Sequence, residues 1–220
     1  MKKLFPLLLL TALGICPAFA GRGNKGWHPG LVVLHAGDTL RGALRFDPAA
    51  ELVRCQTGEV VRVYSALQVR SFRFREPQWD VSRQFISVPH HHASGYARAS
   101  FFEIVASGPL TVLRKYRPGT HPKTNPKFMR VDSRWGFSNH LIGFDYYVQG
   151  PEGLKKIRNF RKEVFPLLLK EYASEITRFV RKSRLKMHRQ SSKIIVVQHY
   201  NHLKNPFNNP WATDNAFGPH

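Results

Sequence analysis

From Leu31 onward, hydrophobic and polar positions alternate. Leu40, Gly42, Leu44 and Phe46 fall on one side of an extended chain, and Thr39, Arg41, Ala43 and Arg45 on the other, which is the period of two that a half-buried strand requires. Gly37-Asp38 separates this run from Leu31–His35 with the chemistry of a tight hairpin, and Thr57-Gly58-Glu59 joins Leu52–Gln56 to Val60–Tyr64 in the same way. Further strands are predicted over Gln68–Arg75, Trp79–Val88, Ser100–Val105, Leu110–Tyr116 and Ile142–Val148. In Phe72-Arg73-Phe74-Arg75 the alternation places arginines on the solvent face of a sheet whose other face is apolar. The stretch His90 to Gly95 and the stretch Pro118 to Pro126 read as loops.

After Gly150-Pro151-Glu152-Gly153 the period becomes helical. Asn159 is placed to cap a helix carrying Phe160, Val164, Leu167 and Leu168, which Pro166 should kink or divide. Ile176, Phe179 and Val180 mark the stripe of a second helix, and Ser191 or Ser192 is placed to cap a third through Ile194, Ile195, Gln198 and Asn201. Each helix has one apolar stripe, so each needs the sheet to cover it. The expected fold is therefore α+β: an antiparallel β-sandwich, roll or partly open barrel followed by two to three C-terminal helices. Residues 21–150 form the β-rich part and 151–204 a basic helical segment packed on it, while 205–220, with three Pro and four Asn, read as a mobile tail.

Residues 1–20 have the form of an export signal. Lys2 and Lys3 precede an apolar stretch from Leu4 to Ile15, and Ala18-Phe19-Ala20 supplies the small residues of a cleavage site. Cleavage after Ala20 leaves 200 residues and reduces the formal charge from +20 to +18. The expected location is then the periplasm, the outer envelope or the extracellular space. Cys16 leaves with the signal, so Cys55 is alone in an oxidising compartment. In the strand-like Leu52-Val53-Arg54-Cys55 it reads as a small hydrophobe rather than a reactive thiol. Two cysteines exclude a disulfide-stapled miniprotein and a multi-cysteine zinc module.

The charge concentrates in the helical part. Thirteen Lys or Arg stand against three Glu between Gly153 and Lys193. Arg178, Arg181 and Lys182 share one helical face beside Leu185, and Arg184 and Lys186 follow. These five residues are the expected anion-binding surface. Export and the absence of any nucleic-acid motif argue against DNA or RNA. Acidic polysaccharide, lipopolysaccharide or an anionic membrane surface fits the compartment better, and a simply solvated basic face is the plainer alternative.

Catalytic patterns are sparse. There is no G-x-S-x-G, H-E-x-x-H, P-loop or G-x-G-x-x-G pattern. Ser183-Arg184-Leu185-Lys186 matches S-x-x-K, but its partner motifs are missing. His90, His91 and His92 are consecutive, so their side chains diverge, and Asp80 or Glu103 would have to complete a site with them through folding. His199 and His202, spaced i, i+3 on the third helix, are placed to converge on zinc or a similar divalent metal, without a nearby carboxylate.

The motifs Gly37-Asp38-Thr39-Leu40-Arg41-Gly42, Phe101-Phe102-Glu103-Ile104-Val105 with Gly108, Leu113-Arg114-Lys115-Tyr116 and the helix ending in His199-Tyr200-Asn201 resemble those of uncharacterised secreted β-rich proteins of Gram-negative bacteria. The resemblance spans about residues 27–204 and implies a G-D-T-x-x-G hairpin opening a β-rich region with short helices closing the chain. It implies no activity and no catalytic residues. The leading expectation is a non-enzymatic envelope or secreted module without a cofactor that binds an anionic partner. The rivals are a metal-dependent hydrolase using the histidines and a structural or assembly subunit of the envelope.

Overall fold

The computed structural model describes residues 26–76, 81–91, 97–117, 131–132, 137–138 and 143–205. The expected export signal with Cys16, the expected loop at Pro118–Pro126, Asp80, His92 and the expected tail beyond Asn205 lie outside these residues.

The alternating segments form one open antiparallel sheet of ten strands, followed by three C-terminal helices. Its strands are β1 (His28–Leu34), β2 (Thr39–Asp47), β3 (Leu52–Thr57), β4 (Val60–Ser65), β5 (Val69–Glu76), β6 (Val81–His91), β7 (Ala97–Ala106), β8 (Thr111–Tyr116), β11 (Phe144–Gly150) and β12 (Gly153–Lys156). The two-residue strands β9 (Val131–Asp132) and β10 (Phe137–Ser138) pair separately. The spatial order is β12-β11-β8-β7-β6-β5-β1-β2-β3-β4.

One connection sets the shape. β4 and β5 stand four strand spacings apart, roughly 19 Å in a flat sheet at ~4.8 Å per spacing. The link between them, Ala66-Leu67-Gln68, is a turn in which the Gln68 amide donates to the Ser65 carbonyl at 3.0 Å, and the His35 amide donates to the Gln68 carbonyl at 2.9 Å. A turn brings its ends within about 7 Å, so the first five strands must curl into a partly open barrel. Its interior is a cluster of Val32, Leu44, Val53, Cys55, Val69, Phe72, Phe74, Phe85 and Phe101. Cys55 is buried there as a free thiol, as expected for a small hydrophobe.

A second core covers the same sheet face further along. Val112 of β8 and Phe144, Tyr146 and Val148 of β11 pack against Ile157, Phe160, Val164, Leu168, Ile176 and Ile194 to Val197 of the helical segment. That segment runs as a 3-10 turn at Ile157–Asn159, then α1 (Phe160–Glu163), α2 (Phe165–Lys182) and α3 (Gln190–Lys204). Pro166 lies in the first turn of α2, directly after the break at Val164, where its missing N–H is not needed. The Asn159 side chain does not cap; its amide donates to Glu163 instead. α3 begins before Ser191 and Ser192, and neither serine caps it. α3 is pinned to the β7–β8 turn by Asn201, whose Oδ1 accepts from the Leu110 amide at 3.0 Å and whose Nδ2 donates to the carbonyls of Leu110 and Ser107. Gly108 makes room for it, since a Cβ there would lie 2.4 Å from Asn201 Nδ2. No helix among the described residues is long and apolar enough to cross a membrane.

β6 departs from expectation by running through Pro89 to His91 instead of ending at Val88. The last β6 residue paired to β5 is Ile86. Pro89 therefore sits where one flank of β6 has no ladder, the position in which a strand tolerates a missing donor.

Candidate anion-binding surface

The sheet carries charge inside the molecule, between its two hydrophobic cores. Phe85, Glu103 and Arg114 are consecutive cross-strand partners on β6, β7 and β8, and so lie on one face. Glu103 accepts from both guanidiniums at once: from Arg83 at 3.0 and 2.7 Å, and from Arg114 at 2.8 and 2.7 Å. Arg83 also donates to Glu76 at 3.0 Å and to the Tyr116 hydroxyl at 2.8 Å. Arg114 lies over the Phe144 ring. Burial alone would push the Glu103 carboxyl up, but Arg114 and Arg83 outweigh it and hold it at about 2. Two acids and two arginines make the seam neutral, and each Glu103 oxygen takes two charge-assisted bonds. Such a carboxylate is spent on structure: it is neither a general base near neutral pH nor a metal ligand.

His90 does not face it. His90 makes edge contacts with Phe102 and Tyr147. Phe102 is the β7 neighbour of Glu103, so His90 lies on the opposite sheet face and Glu103 does not complete a site with it. His91 ends β6, and both residues therefore belong to a strand, not a loop. On α3, His199 is stacked on Phe179 with ring centroids 3.8 Å apart. Burial, with a smaller effect from His202, pushes its imidazole below the ordinary range. His202 is exposed. Among the described residues no three of His, Cys, Asp and Glu come together as a metal group.

The expected anion-binding residues lie at the end of α2 and on the link that follows it. Arg178, Arg181 and Lys182 are exposed along the last turns of α2, and Arg184 and Lys186 are exposed on the link to α3. None of the five makes an ion pair with a described residue. The helix ends in a reciprocal cap: the Leu185 amide donates to the Val180 carbonyl at 3.0 Å and the Arg184 amide to the Arg181 carbonyl at 3.1 Å. This cap needs a left-handed residue, usually glycine. Here Arg184 occupies it at φ 49°, at a cost of about 1 kcal/mol. Leu185 and Val180 pack on the helical core, so the cap turns the apolar side chain inward and leaves the cations outside. The negative end of the helix dipole favours these cations locally.

Six of the described acids are committed elsewhere. Glu76 and Glu103 belong to the buried seam, Lys115 lies 2.5 Å from Glu51, and Asp145 pairs with Arg117, Glu152 with Lys155 and Glu171 with Lys204. Nearer the surface, Lys193 donates to the Ile157 carbonyl, and burial followed by Arg161 pushes its ammonium below the ordinary range. Glu175, one turn before Arg178, is held below the ordinary carboxylate range by Ser174, its own amide and then Arg178; the field of the exposed cations at this end reaches about 8 Å at physiological salt. Sequence reasoning missed the seam. Its signal was Glu103 standing alone inside the apolar run Phe101 to Ala106.

Compared with known proteins, the chain matches no family model, no curated protein and no solved structure.

Proposed function

We propose that this chain is an exported, non-enzymatic module that holds an anionic polymer or anionic envelope surface against Arg178, Arg181, Lys182, Arg184 and Lys186. The observation that carries this reading is the division of charge. Glu51, Glu76, Glu103, Asp145, Glu152 and Glu171 sit in ion pairs away from the end of α2, whereas these five neighbouring cations are exposed and none is in ion-pair distance of a described carboxylate. Acidic polysaccharide and lipopolysaccharide both present the repeated phosphate, sulfate or carboxylate groups that such a surface selects.

The test is retention of the mature chain on immobilised heparin and lipopolysaccharide across a salt gradient. Retention should fall steeply with salt and be weakened selectively by the triple variant Arg181→Glu, Lys182→Glu, Arg184→Glu. Retention indifferent to salt, or unchanged in that variant, overturns the reading.

A further inference from the structure

The two edges of the sheet are built differently. β12 is a four-residue strand carrying Lys155 and Lys156, with Lys155 tied to Glu152 and to the Glu163 carbonyl. Short, charged edges are how proteins prevent unwanted pairing. β4, at the other end, is longer and apolar: Val60, Val61 and Val63 are 55, 47 and 48% exposed, and Leu67 just beyond it is 74% exposed.

The register shows which of its backbone groups are free. Thr57 and Val60 close a two-residue turn at Gly58-Glu59, with Gly58 at φ 62°. Closing pairs of such hairpins exchange hydrogen bonds, and the exchange then alternates along the strand. Thr57↔Val60 and Cys55↔Arg62 are thus the bonded pairs with β3. The N–H and C=O of Val61 and Val63 point away from it, toward the open edge.

Between them stands Arg62, exposed and without an ion pair to any described residue. On the outer face Arg54 is the cross-strand partner of Val63, and Arg45 is that of Arg54. Arginines directly opposite one another repel, and this pair has no described carboxylate in ion-pair distance. Glu59, also exposed, is the one acid at the hairpin tip.

We infer that β4 is a strand-addition site for an extended, acidic polypeptide segment from a partner protein. Its apolar residues lie beside Val61 and Val63, and a Glu or Asp between them faces Arg62. Strand addition uses the free amides for affinity and alternate side chains for specificity. A second copy of this chain is the poorer occupant. The antiparallel register that bonds Val61 to Val63 of the other copy, and Val63 to its Val61, sets Arg62 directly against Arg62. The central arginine thus selects an acid and disfavours that self-pairing register, a difference of about fivefold to tenfold between an acidic and a basic partner residue.

The test uses two labelled peptides, Thr-Val-Glu-Val-Glu-Val-Thr and Thr-Val-Lys-Val-Lys-Val-Thr, titrated into the mature chain by fluorescence anisotropy. The acidic peptide should bind at least fivefold tighter. Arg62→Glu should invert the order. Val61→Pro removes only an edge-facing N–H, so it should keep the native circular dichroism and melting behaviour yet abolish binding. Equal affinity for the two peptides, no binding of the acidic peptide at millimolar concentration, or binding untouched by Val61→Pro overturns the inference. So does a dimer in sedimentation velocity that Val61→Pro dissolves, which would assign the edge to a second copy. The α2–α3 variants above leave β4 intact, so the two surfaces fail or succeed separately.

Discussion

Replacing Glu103 by glutamine changes one atom type and tests the buried seam. The amide keeps the volume but turns an NH2 toward guanidinium donors, so two of the four hydrogen bonds from Arg83 and Arg114 become donor against donor. It also leaves the seam with one surplus buried positive charge. Breaking a buried pair on one side costs about 3–5 kcal/mol, a large part of the 5–15 kcal/mol typical of a whole domain. The pH behaviour supplies an independent figure. A carboxyl held at about 2 against an ordinary 4.5 contributes on the order of 3 kcal/mol when it is ionised in both states. Because the folded value is the lower one, the unfolded chain binds more protons between the two. This contribution is therefore complete above about pH 5 and lost as the pH falls toward 2. Urea unfolding at a series of pH values measures both quantities. Glu103→Gln should cost about 3 kcal/mol or more at pH 7, and the gap to the parent protein should close steadily below pH 5. A variant within 1 kcal/mol of the parent at pH 7, or a gap that stays constant down to pH 2.5, refutes the reasoning.

Other consequences are as direct. Arg184→Gly should raise stability by about 1 kcal/mol in thermal unfolding, because glycine suits the left-handed cap, while shortening retention on heparin; a loss of stability would show that the arginine side chain supports the fold. Asn201→Ala removes three hydrogen bonds that anchor α3 to the β7–β8 turn and leaves the Leu110 groups unpaired, at about 2–4 kcal/mol; hydrogen exchange should show α3 opening before the barrel strands. His199 is pushed below its ordinary 6.5 by burial, then by His202, so the folded state resists its protonation. Stability should therefore fall as the pH drops below about 6.5, and His199→Phe, which keeps the stack on Phe179, should flatten that part of the profile in a pH-dependent melt.

Much of the fold was legible because strand and turn signals are local. The hairpin at Gly58 needs only a glycine flanked by alternating residues, and Pro166 divides the predicted first helix by its own chemistry, α1 ending at Glu163 and α2 beginning at Phe165. What is set by long-range pairing was not legible. The passage of β4 to β5 across the sheet depends on the register of β1 with both β2 and β5, and no residue in Ala66-Leu67-Gln68 announces it. The continuation of β6 through Pro89 depends on which neighbours it lacks. Caps were only partly legible: Asn159 stands at the N-cap of α1 but turns its amide to Glu163, and α3 starts at Gln190, before Ser191 and Ser192.

Charge shows the same limit, and resolving it changes what the net excess means. A formal +20 suggests a uniformly basic surface, yet Arg83 and Arg114 are consumed inside the molecule by Glu103 and Glu76, and Lys115 by Glu51. Acids recruited inward in this way are withdrawn from the surface, so each buried pair leaves the outer charge more one-sided than composition implies. Among the residual exposed cations are Arg178, Arg181, Lys182, Arg184 and Lys186 at the end of α2, and Arg41, Arg45 and Arg62 on β2 and β4. These two regions face different structural settings, a helix end with closely spaced cations and a sheet edge with free amides. The first suits repeated anionic groups held by charge alone, and the second suits a single acid positioned within a strand. Salt should therefore weaken them unequally, with binding at the α2–α3 link collapsing first and the strand-edge complex retaining its backbone contribution.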